Sequence, residues 1–348
     1  MRGYPGGPKL LLISISKKSG KILWQKELDN RNQLYMKHNS SSPSPVTDGK
    51  MVWTVTGTGI VTSFDMKGNM IWRRDIQQDY GPFGLNWGYA SSPLLYDGSL
   101  IIQVLHGYRT DDPSYIVSLD ASNGKTRWRQ ERPTDAVRES PDAYTTPVLL
   151  ENDGQIQIVI SGGDCVTGHD PTTGKEIWRA TGTNPTKQTN YRVVSSPIIV
   201  DGIIYVPTRQ RPLLALRTGG VGDITTSHLI WKWDGAGAPD VPSPLCDGKY
   251  FYMVDDGGRV TCLDAKKGTR IWGPINTSPG TVSASPILVD DKIYILNEAA
   301  VTTVVSVESE PKILAINRLD GSYTLSSPAI SGSQLFIRTG TYLYCIGK

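Results

Sequence analysis

Ser118-Leu119-Asp120-Ala121-Ser122-Asn123-Gly124-Lys125-Thr126-Arg127-Trp128 is the stretch that decides the fold, because its frame comes back along the chain. It returns as Gly168-His169-Asp170 through Gly174 to Trp178, and as Cys262-Leu263-Asp264, Gly268 and Trp272. Ser63-Phe64-Asp65, Gly68 and Trp72 repeat it with a turn one residue shorter. Ile15-Ser16, Gly20 and Trp24 form a degenerate copy, and Ala215-Leu216-Arg217 reaches Trp231 only after the insertion Thr218 to Ser227. In each copy a strand ends at the Asp, whose short carboxylate can accept turn N–H groups, and the Gly supplies positive φ. A second strand then carries the Trp.

A second anchor precedes each frame: Ser44-Pro45, Ser92-Pro93, Thr146-Pro147, Ser196-Pro197, Ser243-Pro244, Ser285-Pro286 and Ser327-Pro328. Proline can open a strand because its missing N–H falls outside the ladder. A short apolar stretch, a turn such as Asp97-Gly98 or Asp247-Gly248, and a further strand follow. Each period of roughly 40–55 residues therefore encodes four strands, A and B after Ser-Pro, then C and D around Asp, Gly and Trp. That is one blade of a β-propeller. Six copies are complete, residues 9–28 supply only C and D, and residues 327–346 supply A, B and C without a Trp strand. The expectation is an all-β chain forming a single propeller of four-stranded antiparallel blades, an eight-bladed ring with incomplete terminal blades, with seven blades as the alternative. Residues 1–8 read as an N-terminal extension and 9–348 as the propeller domain.

These frames resemble the pyrroloquinoline-quinone-like (PQQ-like), or quinoprotein-type, repeat, whose unit runs A-x-D-x-x-T-G-x-x-x-W. The resemblance extends from Lys9 to Ile346 and is most similar to stand-alone bacterial PQQ-binding-like repeat proteins and BamB-type outer-membrane assembly propellers. It implies a non-catalytic scaffold that presents a loop face to a protein or small ligand, periplasmic or secreted in the intact protein. Such proteins are eight-bladed and exported, so the missing first strands imply a truncated N-terminus, although no signal peptide is visible. The alternative implied by the superfamily is a PQQ-dependent dehydrogenase oxidising an alcohol or sugar, with PQQ and calcium as cofactors. Its adjacent-cysteine ring has no counterpart among Cys165, Cys246, Cys262 and Cys345, and no calcium-ligand set can be assigned residue by residue. The expected cofactor is therefore none, and the enzyme reading stands second.

Composition narrows the partner. The formal charge of +3 on 348 residues offers no long basic stripe for nucleic acid. No apolar window reaches the eighteen residues of a transmembrane segment. The four cysteines read as free thiols: Cys246 and Cys262 fall on strands A and C of one blade, about 9–10 Å apart and beyond disulfide reach. Cys262 and Cys345 occupy a small-residue slot of the frame and read as core thiols. A monomer with an unidentified protein or small-molecule partner is expected.

The repeat tryptophans Trp24, Trp72, Trp128, Trp178, Trp231 and Trp272 read as packing between blades, because a large ring fills that wedge at a fixed place in every copy. The turn aspartates cap the C–D turns; one carboxylate per blade cannot converge on a calcium ion. No histidine spacing makes a metal site. Residues that break the repeat carry more information, because packing does not require them. The D-to-A and B-to-C loops share one face of a propeller, at the mouth of its channel. The candidate binding set there is His38, Asn39, Trp87, Tyr89, His106, Arg109, Tyr144, Tyr191, Arg192, Arg209, Arg211, Asp255 and Glu298, a mixture of aromatics and arginines suited to an interface. Under the dehydrogenase alternative, Arg192, Arg209 or Arg211 holds the quinone carboxylates.

Overall fold

The computed structural model describes residues 7–209 and 211–347. It is all-β, and among the described residues one five-residue helix, Ile76–Tyr80, interrupts the strands. The frame around Asp120 builds what its pattern implies: Leu94–Tyr96, Ser99–Val104, Tyr115–Asp120 and Thr126–Glu131 form an antiparallel four-stranded sheet in chain order. Where the ladder passes from Ser118 to Leu119 the register shifts, because the strand bulges just before its turn.

Residue contacts divide the chain into two units, 1–179 with 186–192, and 180–185 with 193–348. The first unit holds an N-terminal hairpin (Leu10–Ile15 and Ile22–Asp29) and three blades, whose C strands are Ile60–Asp65, Tyr115–Asp120 and Cys165–His169. The second holds blades four to seven, with C strands Leu213–Arg217, Arg259–Asp264, Val301–Ser306 and Leu343–Gly347.

The blade count is seven, which corrects the eight-bladed expectation. Six blades have strands A to D, and the seventh is the three-stranded sheet Ala329–Ser331, Gln334–Arg338 and Leu343–Gly347. The hairpin strand Leu10–Ile15 pairs with Ile22–Asp29 alone among the described residues, and nothing described supplies strands A and B beside it. Both ends offer a strand C, and two C strands cannot share one place in a sheet.

The C–D turn and the tryptophan are two halves of one joint between successive blades. Asp65 Oδ1 accepts the N–H groups of Lys67 and Asn69 at 2.9 and 2.8 Å, and Asp264 Oδ1 accepts those of Lys266 and Lys267 at 3.0 and 2.8 Å. Asp120 is held down to a pKa of about 2 by the Ser122 hydroxyl and by Arg127. The carbonyl just past each Asp then receives the indole N–H of the preceding blade. Trp24 donates to Met66, Trp72 to Ala121, Trp128 to Pro171 and Trp231 to Ala265, at 2.9–3.0 Å. A second donor from strand B reaches the same acceptor in two blades: Trp53 at Ala121, 2.7 Å, and Tyr205 at Ala265, 3.1 Å.

Two tryptophans depart from this joint. Trp178 is fully buried but donates to Gln157 Oε1 at 2.7 Å, within its own blade, with its ring over Gly168. Trp272 is buried, and its N–H meets no acceptor among the described residues.

The Ser-Pro anchors join blades as well. The N–H of Ser44 donates to the Ser92 hydroxyl, and Ser196, Ser243 and Ser285 donate in turn to Ser243, Ser285 and Ser327, all at 2.9–3.0 Å. The four cysteines are free thiols, with Cys246 and Cys262 on strands A and C of the fifth blade. Burial raises the Cys262 thiol to about 12. Cys345 is exposed, contrary to the core reading, because the outer face of the seventh blade has no neighbouring sheet among the described residues of its unit.

Candidate functional site

In the first unit the repeat-breaking residues meet around one carboxylate. Glu139 lies on the loop from the second blade to the third, and its Oε1 accepts the Trp87 indole N–H at 2.7 Å and the Asn86 side-chain amide at 3.2 Å. Arg192 approaches Glu139 at 3.9 Å, and the Glu139 N–H donates to the Thr189 carbonyl at 2.9 Å. Three D-to-A loops are thereby tied together. The frame gave no signal for Glu139, since it sits in a stretch without periodicity.

The same loop carries Asp142 and Tyr144. The Tyr144 hydroxyl accepts the Trp87 main-chain N–H at 3.1 Å. Asp142 is wholly buried, with Oδ2 accepting the Asn86 N–H at 2.7 Å and Oδ1 the Tyr108 N–H at 3.2 Å. Burial, reinforced by Glu139, pushes its carboxyl up to about 6 despite these bonds. Arg109 closes the group by donating to Asn86 Oδ1 at 3.2 Å.

Over this base lies a small hairpin, Leu34–Tyr35 paired with His38–Asn39. Tyr35 stacks on His38 at 5.6 Å and packs on Gly88, and His38 hydrogen-bonds the Trp87 backbone. Burial lowers the His38 pKa. The hairpin leaves Leu34 and Met36 exposed at 52% and 62%, and Tyr108 is exposed at 48%. Sequence reading passed over Leu34, Met36 and Glu139, and a two-residue strand is too short for alternation to reveal it.

Several residues of the candidate set support this surface from beneath. Tyr89, His106 and Tyr191 are buried, Tyr89 stacking on Phe83 at 4.7 Å and His106 accepting the Gly84 N–H at 3.1 Å. Burial lowers His106 and raises Tyr89 and Tyr144.

The second unit holds the remaining candidates, of which Arg211 and Asp255 line an open pocket of about 340 Å³ together with Asp240, Asp256, Arg259 and small residues between Gly235 and Ala238. Asp255 is buried and doubly bonded by Arg259 at 2.6 and 2.7 Å, Arg209 lies 3.7 Å from Asp240, and Arg211 donates to the Asp234 carbonyl at 3.2 Å. Glu298 accepts the Ser283 hydroxyl at 2.6 Å. Asp255 and Arg209 are held by opposite charges, and Arg211 and Glu298 by a carbonyl and a hydroxyl, and these bonds fix the loop conformations.

The comparisons with known proteins agree with this architecture. A family model described as outer membrane protein assembly factor BamB matches residues 9–274. The chain belongs to the BamB family. BamB of Yersinia pestis is 21% identical over 348 residues, covering 96% of this chain and 79% of that protein. The crystal structure of BamB from Moraxella catarrhalis superposes with a TM-score of 0.68 at 15% identity, covering 95% of this chain and 91% of that one, which supports the propeller fold. The dehydrogenase subunit of the quinone alcohol dehydrogenase of Acetobacter aceti is 32% identical over 113 residues, but that is 28% of this chain and 14% of the subunit.

The donor set does not fit PQQ with calcium. Among the described residues no three His, Cys, Asp or Glu side chains gather to hold a metal ion. Of the three arginines offered to a quinone carboxylate, Arg192 faces Glu139 and Arg209 faces Asp240, while Arg211 donates to the Asp234 carbonyl, so each already has a partner within the chain. Among the described residues, no helix is long and apolar enough to cross a membrane.

Proposed function

We propose that this BamB-family chain is a non-catalytic scaffold in outer-membrane protein assembly, working outside the cytoplasm as a monomeric propeller domain over residues 9–348. It docks a protein partner through the loop face of its first unit. The supporting observation is the exposed trio Leu34, Met36 and Tyr108 on loops braced by Trp87, Glu139 and Arg192. Apolar and aromatic side chains on a pre-organised base lose little freedom on binding, so their burial appears as affinity. The charged groups below them serve as bracing, which leaves no positioned acid–base pair for chemistry.

Deleting the gene in the source bacterium and measuring the folded β-barrel proteins of its outer membrane tests the proposal. A drop that the parent gene restores, and that a Tyr108→Ala, Met36→Ala gene does not, is the expected result. Unchanged outer-membrane proteins in the deletion strain would remove the assembly role.

A further inference from the structure

We propose that the turn end of the first unit, at the opposite end of the blades from the loop face, is a contact surface for an anionic lipid bilayer. The proposal stands apart from the docking reading, which concerns the loops.

The N-terminal hairpin and the first blade break the frame at the same place. Two positions before the tryptophan they carry Ile22 and Met70, where the second and third blades carry Thr126 and Glu176. Just past the turn aspartate the first blade carries Met66, in the place of the buried Ala121 of the second. Met66 and Met70 are 51% and 56% exposed, Ile22 and Leu23 are 59% and 64% exposed, and Ile71 is 50% exposed. Single apolar side chains on a surface need no explanation, but these five sit at two adjoining turns. The Trp24 indole N–H donates to the Met66 carbonyl at 3.0 Å and so sets the hairpin against the first blade's C–D turn, with Trp24 and Lys26 over Gly68.

Charge identifies what covers them. From residue 9 to residue 26 the chain carries five lysines and no Asp or Glu. Lys18 and Lys21 are exposed on the hairpin turn next to Ile22 and Leu23, and Lys67 is exposed beside Met66. The carboxylate of that turn, Asp65, is engaged by the N–H groups of Lys67 and Asn69 and by the Asn69 amide at 2.8–2.9 Å. An anionic bilayer supplies both complements, an acyl boundary for the apolar tips and a headgroup layer for the ammonium groups, which lysine reaches on its long stem. Methionine and lysine are unbranched and adapt to a fluid surface, whereas the loop face, braced by Trp87 on Glu139, suits a shaped partner. Strands of about six residues separate the two ends by about 20 Å, so a chain resting on its turns holds the loop face off the lipid and open to a protein.

Flotation of the full chain with vesicles tests the contact. Binding is expected to vesicles of phosphatidylcholine with phosphatidylglycerol, weakening as salt is raised, and to be more than about tenfold weaker with phosphatidylcholine alone. Lys18→Gln with Lys21→Gln should weaken it roughly 25-fold, about fivefold for each lysine. Met66→Ser with Met70→Ser should also weaken it. All four positions are exposed, so both double variants are expected to melt like the parent, which a thermal scan checks. Lys266→Gln with Lys267→Gln, on the corresponding turn of the fifth blade where Arg270 stands in the place of Met70, should change binding little. Absence of binding to the anionic vesicles overturns the proposal, as does equal binding to the neutral ones or unchanged affinity in either first-unit double variant. A loss as large at Lys266 and Lys267 overturns it by showing diffuse charge attraction. Self-association of the parent that Met66→Ser with Met70→Ser abolishes overturns it by assigning the patch to a second copy. None of these results bears on the loop-face variants in the gene-deletion test, so the two readings fail separately.

Discussion

The indole of Trp72 lies against the α-carbon of Gly124, so that a Cβ added there would sit 2.7 Å from ring atom Cε3. Trp231 stands in the same relation to Gly268, where the closest ring atom would be 2.6 Å away. The glycine of the C–D turn thus does two jobs. It adopts a left-handed backbone and it leaves room for the neighbouring blade's ring.

These jobs can be separated by substitution. Gly124 and Gly154 have nearly equal φ values, 74° and 75°, but nothing lies within 4 Å of a Cβ at Gly154. Gly154→Ala should cost only the backbone part, about 1–2 kcal/mol. Gly124→Ala adds overpacking against Trp72 and should cost about 2–4 kcal/mol in chemical denaturation. Equal losses at the two sites would show that the ring contact contributes nothing.

Trp178 tests the exception to the joint. Its full burial makes Trp178→Ala a cavity mutation costing about 3–5 kcal/mol. Trp178→Phe keeps most of the ring and loses the bond to Gln157, so a smaller loss of about 1–3 kcal/mol is expected. If Ala and Phe melt alike, the packing of this ring over Gly168 is unimportant.

His169 predicts part of the acid behaviour. Burial and the charge of Arg132 lower its pKa to about 4, while its Nδ1 and Nε2 bond the Gly174 carbonyl and the Thr167 hydroxyl at 3.0 and 2.8 Å. The unfolded chain takes up this proton first, at about pH 6.5, so stability falls from there to about pH 4 as the folded state lags behind. Asp142 acts in the opposite sense: its folded carboxyl holds a proton up to about 6, so lowering the pH from neutral to about 4 favours the folded state. The two contributions offset in the parent, and each is visible in a variant. His169→Gln should lose less stability between about pH 7 and pH 4 than the parent, and Asp142→Asn should lose more. Identical pH profiles for parent and His169→Gln would contradict the buried neutral histidine.

The rim offers a contrast of function against stability. Tyr108→Ala and Met36→Ala should leave melting within about half a kcal/mol of the parent and weaken partner capture by 1 kcal/mol or more, ~5-fold in Kd. Lys125→Ala on the exposed C–D turn should change neither. Tyr191→Ala belongs to a different class, because its side chain is buried and its N–H is bonded by Ser140, so its loss should appear in the melt. Weak capture by Lys125→Ala, with the rim variants silent, would move the functional face to the other end of the blades.

The blades were legible because their marks are local. Asp, Gly and Trp recur in one short window, and the turn they specify forms within that window. The joint between blades was legible only as a need for packing: the sequence shows that Trp72 must be covered but not that the Ala121 carbonyl receives its N–H. Blade number was less accessible, since Leu10–Ile15 and Leu343–Gly347 both read as strand C and their pairing depends on strands far away in sequence. The rim divided in the same way. Trp87, Arg109 and Arg192 stood out by breaking the repeat, whereas burial of Tyr89 and Tyr191 depends on neighbouring loops that no pattern predicts. Glu139 was silent because a carboxylate in an irregular loop becomes a hub only when three loops converge on it.

Where it forms, at Trp24, Trp72, Trp128 and Trp231, the tryptophan joint is directional: the donor reaches toward the following blade and the acceptor faces the preceding strand pair. A gene encoding such units can lengthen by in-frame duplication of a whole period, since the new copy arrives with both halves of the coupling already matched. Changes within a unit are more constrained, because altering one turn disturbs the seating of a ring encoded some fifty residues earlier. Growth by whole copies together with resistance to partial edits would preserve a recognisable period while the loops around it diverge freely.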